Sequence, residues 1–155
     1  MPTGIIDTLI ADKAFSRTRS VVALVITHGD LVCLLRRSAF VGSDRGKWHC
    51  VTGFLDPGVD PTDQALTELR EETGLLPDDL CTFHAGPVLE LPDGRSGMWR
   101  VLVHRAEARH LDVRLNWEND DFRWVRWSQT RIDGDIVSWL SDVMVAAGLA
   151  AAVAA

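Results

Sequence analysis

The stretch Gly53–Leu75, GFLDPGVDPTDQALTELREETGL, constrains the fold more than any other part of the chain. It punctuates a helix at both ends. Asp60 is a good N-cap, Pro61 suits the first helical position, and Gly74 suits the left-handed residue that closes a helix. On the helical wheel Thr62, Ala65, Leu66, Leu69 and Thr73 make an inward stripe, with Asp63 and Arg70 opposite. Glu68, Glu71 and Glu72 fall within an arc of about 100° beside that stripe. Like charges at these spacings cost roughly 0.2–0.5 kcal/mol per pair. The cost predicts a cation for the face they share, at the rim of a crevice.

The rest of the chain supplies strands. RSVVALVITHGDLVCLLRRS predicts a hairpin around a three-residue turn, His28-Gly29-Asp30. FVGSDRGKW is a polar loop, WHCVTGF a short strand leaving it, and LDPGVDP a turn cluster. Further strands are expected at AGPVLEL, MWRVLVHRAEA and FRWVRW, with PDGRSG as a tight turn between the first two. DIVSWLSDVMVAAGLA is expected to close the domain as an amphipathic helix. Strands mixed with two helices imply an α/β or α+β sandwich.

Length and composition bound the remaining choices. A chain of 155 residues, 46% apolar and 25% charged, suits one ordered domain. Residues 1–155 are expected to form it, with 1–18 as an N-terminal extension and 148–155 as a frayed tail. A net charge of −6 without a basic run argues against a nucleic-acid polymer as partner. The three cysteines, Cys33, Cys50 and Cys81, have no metal or CxxC spacing, which suits a reduced, cytoplasmic setting. The N-terminus lacks the basic and apolar regions of a signal peptide. The apolar tail is too short to span a bilayer, so no membrane partner is expected.

The Gly53–Leu75 stretch resembles the signature of the Nudix hydrolases. That signature runs glycine, five residues, glutamate, seven residues, then Arg-Glu-aliphatic-any-Glu-Glu-any-Gly-aliphatic. Gly53, Glu68, Leu69, Glu71, Glu72, Gly74 and Leu75 match it. Val59 stands at the first glutamate and Thr67 at the arginine. The hairpin ending in LLRRS, the GKW before the box and WENDDFRWV after it extend the likeness over Val21–Trp127.

The resemblance implies an α/β fold, a Nudix-type α/β/α sandwich with a mixed β-sheet between helices. It implies water attack on a pyrophosphate phosphorus of a nucleoside diphosphate linked to another moiety. It implies Mg²⁺, with Mn²⁺ able to substitute, because hard carboxylate and phosphate oxygens suit a hard cation. Glu68, Glu71, Glu72 and the Gly53 carbonyl would be the metal ligands, with Glu68, Glu71 and Glu118 as the catalytic carboxylates. Glu118 would act as general base or extra ligand; its bland alternative is a solvated acidic turn with Asp120 and Asp121.

Several further residues have two readings. Arg36 and Arg37 suit phosphate oxygens, but strand alternation turns them to opposite faces. Arg45 and Lys47 are similarly ambiguous. Trp117 and Trp99 are candidates for stacking on a base, whereas Trp124 and Trp139 fit the interior. Cys50 reads as a small buried apolar residue. Val59 and Thr67 read as a joint replacement of an ion pair by small apolar packing, or as decay of the site. Asp56 or Asp60 is the nearest substitute carboxylate. The rival functions are a nucleotide-binding sensor and a prenyl-diphosphate isomerase. A homodimer is common in the family, though no residue here requires one.

Overall fold

The computed structural model describes residues 18–127 and 135–149, so most of the expected terminal extension and tail lie outside the described residues. The elements are β1 (Thr18–His28), β2 (Leu31–Arg37), β3 (Trp48–His49), β4 (Val51–Phe54) and α1 (Pro61–Thr73). A 3₁₀ turn at Pro77–Asp79 then leads to β5 (Leu80–Pro92), β6 (Met98–Ala108), β7 (Asn119–Val125) and α2 (Leu140–Ala146). The strands form one seven-stranded mixed sheet.

β1 is the axis of that sheet. Its run Val22–Thr27 is buried without alternation, as expected of a strand covered on both faces. Ala23 and Val25 point into a core with Val32, Leu34, Val101 and Val103, covered by Leu140, Val143 and Met144 of α2. Leu24 and Ile26 point the other way, into a core with Cys33, Leu35 and Val51, covered by Leu69 of α1. The helices therefore lie on opposite faces, and the fold is an α/β/α sandwich. Each large aliphatic side chain buried this way contributes about 1.5–3 kcal/mol. The apolar β1 alone accounts for a substantial part of the driving force.

The pairing explains where the local reading of the sequence fails. β1 lies parallel to β6 from Thr18↔Met98 to Thr27↔Glu107, but meets β2 only at Thr27↔Val32 and His28↔Leu31. The turn thus holds two residues, Gly29 and Asp30, rather than three, with Gly29 at φ 60°. Beyond the tip the two strands splay. β4 pairs with β1, while β3 and β7 pair with β2. The WHCVTGF segment therefore breaks at Cys50, where the chain changes partners, and is two strands instead of one.

The closing helix is also shorter than the sequence suggests. Trp48 N–H donates to Asp135 O (2.8 Å), Val137 N–H donates to Trp48 O (3.0 Å), and Ile136 bridges Trp48. Residues 135–137 are spent as an extension of the sheet, so α2 starts only at Leu140. Among the described residues no helix is long and apolar enough to cross a membrane. Both ends of α1 are as expected. Asp60 Oδ1 accepts from Thr62 N–H (2.8 Å) and Asp63 N–H (3.2 Å), and Gly74, at φ 74°, donates its N–H to Arg70 O.

Candidate active site

The glutamates of α1 divide into two kinds. Glu68 is half-buried and Glu71 exposed, and both meet Glu118 from the loop before β7. One carboxylate oxygen from each of the three lies within 4.8 Å of the others. Glu118 is held there by backbone bonds: its carbonyl accepts from Ser38 N–H (2.8 Å), and its own N–H donates to Asn116 Oδ1 (3.0 Å). Those bonds stitch the entry of β7 to the end of β2. Among the described residues no ion pair reaches Glu68, Glu71, Glu72 or Glu118.

Glu72 is the correction. It does not sit at a rim; it is 0% exposed. Its Oε1 accepts from Asn119 Nδ2 (3.3 Å), the carboxyl also hydrogen-bonds the Glu68 side chain, and Oε2 meets no amine, amide or hydroxyl donor among the described residues. Burial, reinforced by the charges of Glu118 and Glu68, raises its carboxyl well above the usual range. Burial likewise raises Glu68, against a hydrogen bond from Gln64 Nε2 (3.0 Å). The wheel placed Glu72 beside the apolar stripe; the wheel cannot see Asn119, at the start of β7, whose side chain meets the carboxylate.

Asn119 also contacts His49, whose Nε2 lies 2.8 Å from Asn119 Oδ1. With the amide nitrogen given to Glu72, the amide oxygen must accept, so His49 carries its proton on Nε2. Burial pushes the His49 imidazole down to about 4, so it is neutral at pH 7. Asn119 escaped the sequence reading and His49 stood out only as a neighbour of Cys50, because neither belongs to the helical motif. The one available signal was their polarity at positions that the strand pattern buries.

Gly53 lies on β4 opposite Val22, and the Glu68 side chain fills the space where a β-carbon would stand. A Cβ there would come within 2.1 Å of Glu68 Cδ and Oε1. The glycine is required by that close approach; its φ is not positive.

The arginines are engaged elsewhere. Arg36 Nε donates to Asp120 Oδ1 (2.7 Å), and the guanidinium lies 5.8 Å from the Trp48 ring, on the α2 side of the sheet. Arg37 Nε donates to Ser43 O (2.9 Å), tying down the loop after β2. Arg45 Nε donates to Val41 O, and Lys47 pairs with Asp44. Trp117 is 63% exposed next to Glu118. Phe40, which the sequence reading passed over, is 81% exposed. Ser38 joins the two segments, its Oγ donating to Trp117 O (2.6 Å) and accepting from Phe40 N–H (3.2 Å).

The substitute carboxylates do not join the cluster: Asp60 caps α1, and Asp56 is exposed in the loop before it. Val59 is 38% exposed in a turn with Asp56, so it does not supply the apolar packing expected of a replaced ion pair. An open cleft lined by Arg19, Phe54, Asp56 and Val59 adjoins this loop, and none of the three clustered glutamates lines it. Trp99 lies 5.9 Å from Phe54 and 5.9 Å from the Arg19 guanidinium. Cys50 is buried, which raises its thiol far above the range in which it would react.

The glutamate-bearing helix thus lies between two loops on one face of a splayed mixed sheet. The chain belongs to the NUDIX domain family, whose model matches residues 16–143, and it is a Nudix hydrolase. The nucleoside triphosphatase NudI of Klebsiella pneumoniae (strain 342) is 30% identical over 121 residues, covering 71% of this chain and 83% of that protein. An octanoyltransferase of Myxococcus xanthus is 38% identical over 101 residues; these are 61% of this chain, which spans only 26% of that protein. The MutT NUDIX hydrolase of Burkholderia pseudomallei has the same fold, with a TM-score of 0.67 at 17% identity over 83% of this chain and 97% of that one.

Proposed function

We propose that this protein is a divalent-metal-dependent hydrolase that cleaves a pyrophosphate bond in a nucleoside diphosphate linked to another moiety. The observation that carries this reading is the meeting of Glu68, Glu71 and Glu118, with no ion pair to any of them among the described residues. An all-carboxylate donor set suits Mg²⁺, with Mn²⁺ as substitute, and the undonated Oε2 of Glu72 fits the same demand. A divalent cation bound there supplies charge neutralisation for the phosphates and a more acidic water.

The chain's own residues then have separable tasks. Glu68 and Glu71 would hold the cation, with Glu72 and the Gly53 carbonyl as further oxygen ligands. Glu118 approaches from a different element, which lets it accept the proton of the attacking water. A P–O bond forms to that water, the bridging P–O bond breaks, and the departing phosphate carries the electron pair. Trp117 offers an aromatic face to a base beside this centre. To reach a phosphate, Arg36 would have to leave Asp120 and Arg37 the Ser43 carbonyl.

The substrate is a small nucleotide-like molecule. Nucleoside triphosphates are the first class to try, because NudI is named for them. A single domain acting in the cytoplasm fits this role. The test is turnover of nucleoside triphosphates, dinucleoside polyphosphates, nucleotide sugars and ADP-ribose with Mg²⁺ or Mn²⁺, with products separated by chromatography. Metal-dependent release of a nucleotide product is the expected result. Ligand binding without turnover would make the protein a sensor instead, and no binding of either metal would overturn the site.

A further inference from the structure

The signature helix carries Thr67 where the box pattern has an arginine, and among the described residues no cation pairs with Glu72. A fully buried carboxylate must nevertheless be held, since an unfixed one would lose hydrogen bonds without a defined geometry in return. We propose that Asn119 and His49, two neutral side chains from the sheet, are the positioning residues that aim Glu72 at the cation site. The inference rests on the metal-dependent reading of the site and adds to it the residues that orient one ligand.

The geometry of the chain of bonds is directional. The His49 ring is fixed by burial and by an edge-on contact with Trp139, 6.3 Å between centroids. Its Nε2 lies 2.8 Å from Asn119 Oδ1, the pairing that puts the amide nitrogen on Glu72. Nδ2 must then face Glu72, and it engages Oε1 alone. Oε2 is left over, buried and without an amine, amide or hydroxyl donor among the described residues, and the Glu72 carboxyl also hydrogen-bonds the Glu68 side chain. A fixed donor on one oxygen thus selects the other for coordination. Outer partners of this kind typically change metal affinity by about 10–100-fold when removed.

Asn119 also links two parts of the site. It is the first residue of β7, directly after Glu118, and pairs in register with Arg37. The same strand entry therefore places Glu118 among the glutamates and locks Glu72 behind them. A helix-borne arginine would act along α1 alone. The neutral chain makes the site depend on β3 and β7 as well.

The test compares Asn119→Leu, His49→Leu and His49→Gln with the wild-type protein. Direct Mn²⁺ titration by electron paramagnetic resonance gives affinity, and circular dichroism and melting of the metal-free proteins check the fold. Asn119→Leu should stay folded at 25 °C and weaken Mn²⁺ binding about 10–100-fold. His49→Leu should lose affinity in the same direction, and His49→Gln, which keeps an N–H donor, should recover most of it. The metal concentration for half-maximal turnover should rise by a similar factor, with substrate KM at saturating metal little changed.

A purely structural role would lower the melting temperature and leave Mn²⁺ affinity untouched in the folded fraction, and that result overturns the proposal. If Asn119→Leu does not fold, equal affinities for His49→Leu and His49→Gln overturn it just as well. Failure of wild-type protein to bind Mn²⁺ would sink the metal-dependent reading itself, a result distinct from binding that the variants leave unchanged.

Discussion

Gly53→Ala separates stability from function more cleanly than any change to a glutamate. The added Cβ would stand 2.1 Å from Glu68 Cδ and Oε1 and 2.4 Å from Cγ. Ordinary carbon contacts are near 3.5–4.0 Å, so the Glu68 carboxylate must retreat by about 1.4 Å. The obstacle is the end of a flexible, half-buried side chain, and Gly53 has no positive φ to lose. An off-rotamer Glu68 costs roughly 0.5–1.5 kcal/mol. Stiffening of the unfolded chain by alanine returns about 0.4–1 kcal/mol. Stability should therefore change by less than about 1 kcal/mol, or a shift in Tm of about 2–4 °C for a domain this size.

Catalysis should respond much more strongly, because a displacement of about 1 Å in a catalytic constellation can cost around 100-fold. Thermal melts, the Mg²⁺ dependence of turnover and Mn²⁺ titration would be read together. In a Glu68→Gln background the glycine change should add little, since both act through one carboxylate. Wild-type turnover and metal affinity in Gly53→Ala would refute the reasoning. So would an equal further loss in the Glu68→Gln background, which would show that Gly53 acts through something other than Glu68.

Other changes probe the remaining parts. Glu118→Gln should lower kcat by about 100-fold or more if the group accepts the proton; an accompanying loss of Mn²⁺ affinity would make it a ligand instead, and a wild-type variant would return it to a solvated turn. Glu72→Gln should stabilise the metal-free protein at pH 8. The folded-state value of Glu72 is raised, so its contribution is complete below the ordinary carboxylate value of 4.5 and is lost as pH rises through the folded value. Melting curves of the two proteins should converge towards pH 4.5, and equal melting at every pH would contradict the burial. Asp60→Ala should cost about 1 kcal/mol through loss of the cap on α1, measured by denaturant unfolding. Val59→Glu should change stability by less than about 0.5 kcal/mol, because the side chain is exposed; coupling above that size to Thr67→Arg in a double-mutant cycle would show that the loop does fold over the helix.

The sequence by itself determined what short-range physics controls. Asp60, Pro61 and Gly74 delimit α1 because capping depends on residues a few positions apart. The β-rich runs around His28-Gly29-Asp30 mark a hairpin, and the spacing of Glu68, Glu71 and Glu72 marks a helix face with an electrostatic cost. From such features a mixed α/β or α+β class was legible, and the match of Gly53–Leu75 to the Nudix signature pointed to the hydrolase family. Tertiary structure decided which of the three glutamates is exposed, burying Glu72 against Asn119 and leaving Glu71 in solvent. It brought Glu118 to the helix, and it joined Asn119 to Glu72 and His49, which lie 47 and 70 residues away. It also split WHCVTGF between two partner strands and shortened the last helix. These outcomes hang on strand register and on the splay between β1 and β2. Both are set by packing against two cores at once, and no local pattern of residues encodes that balance.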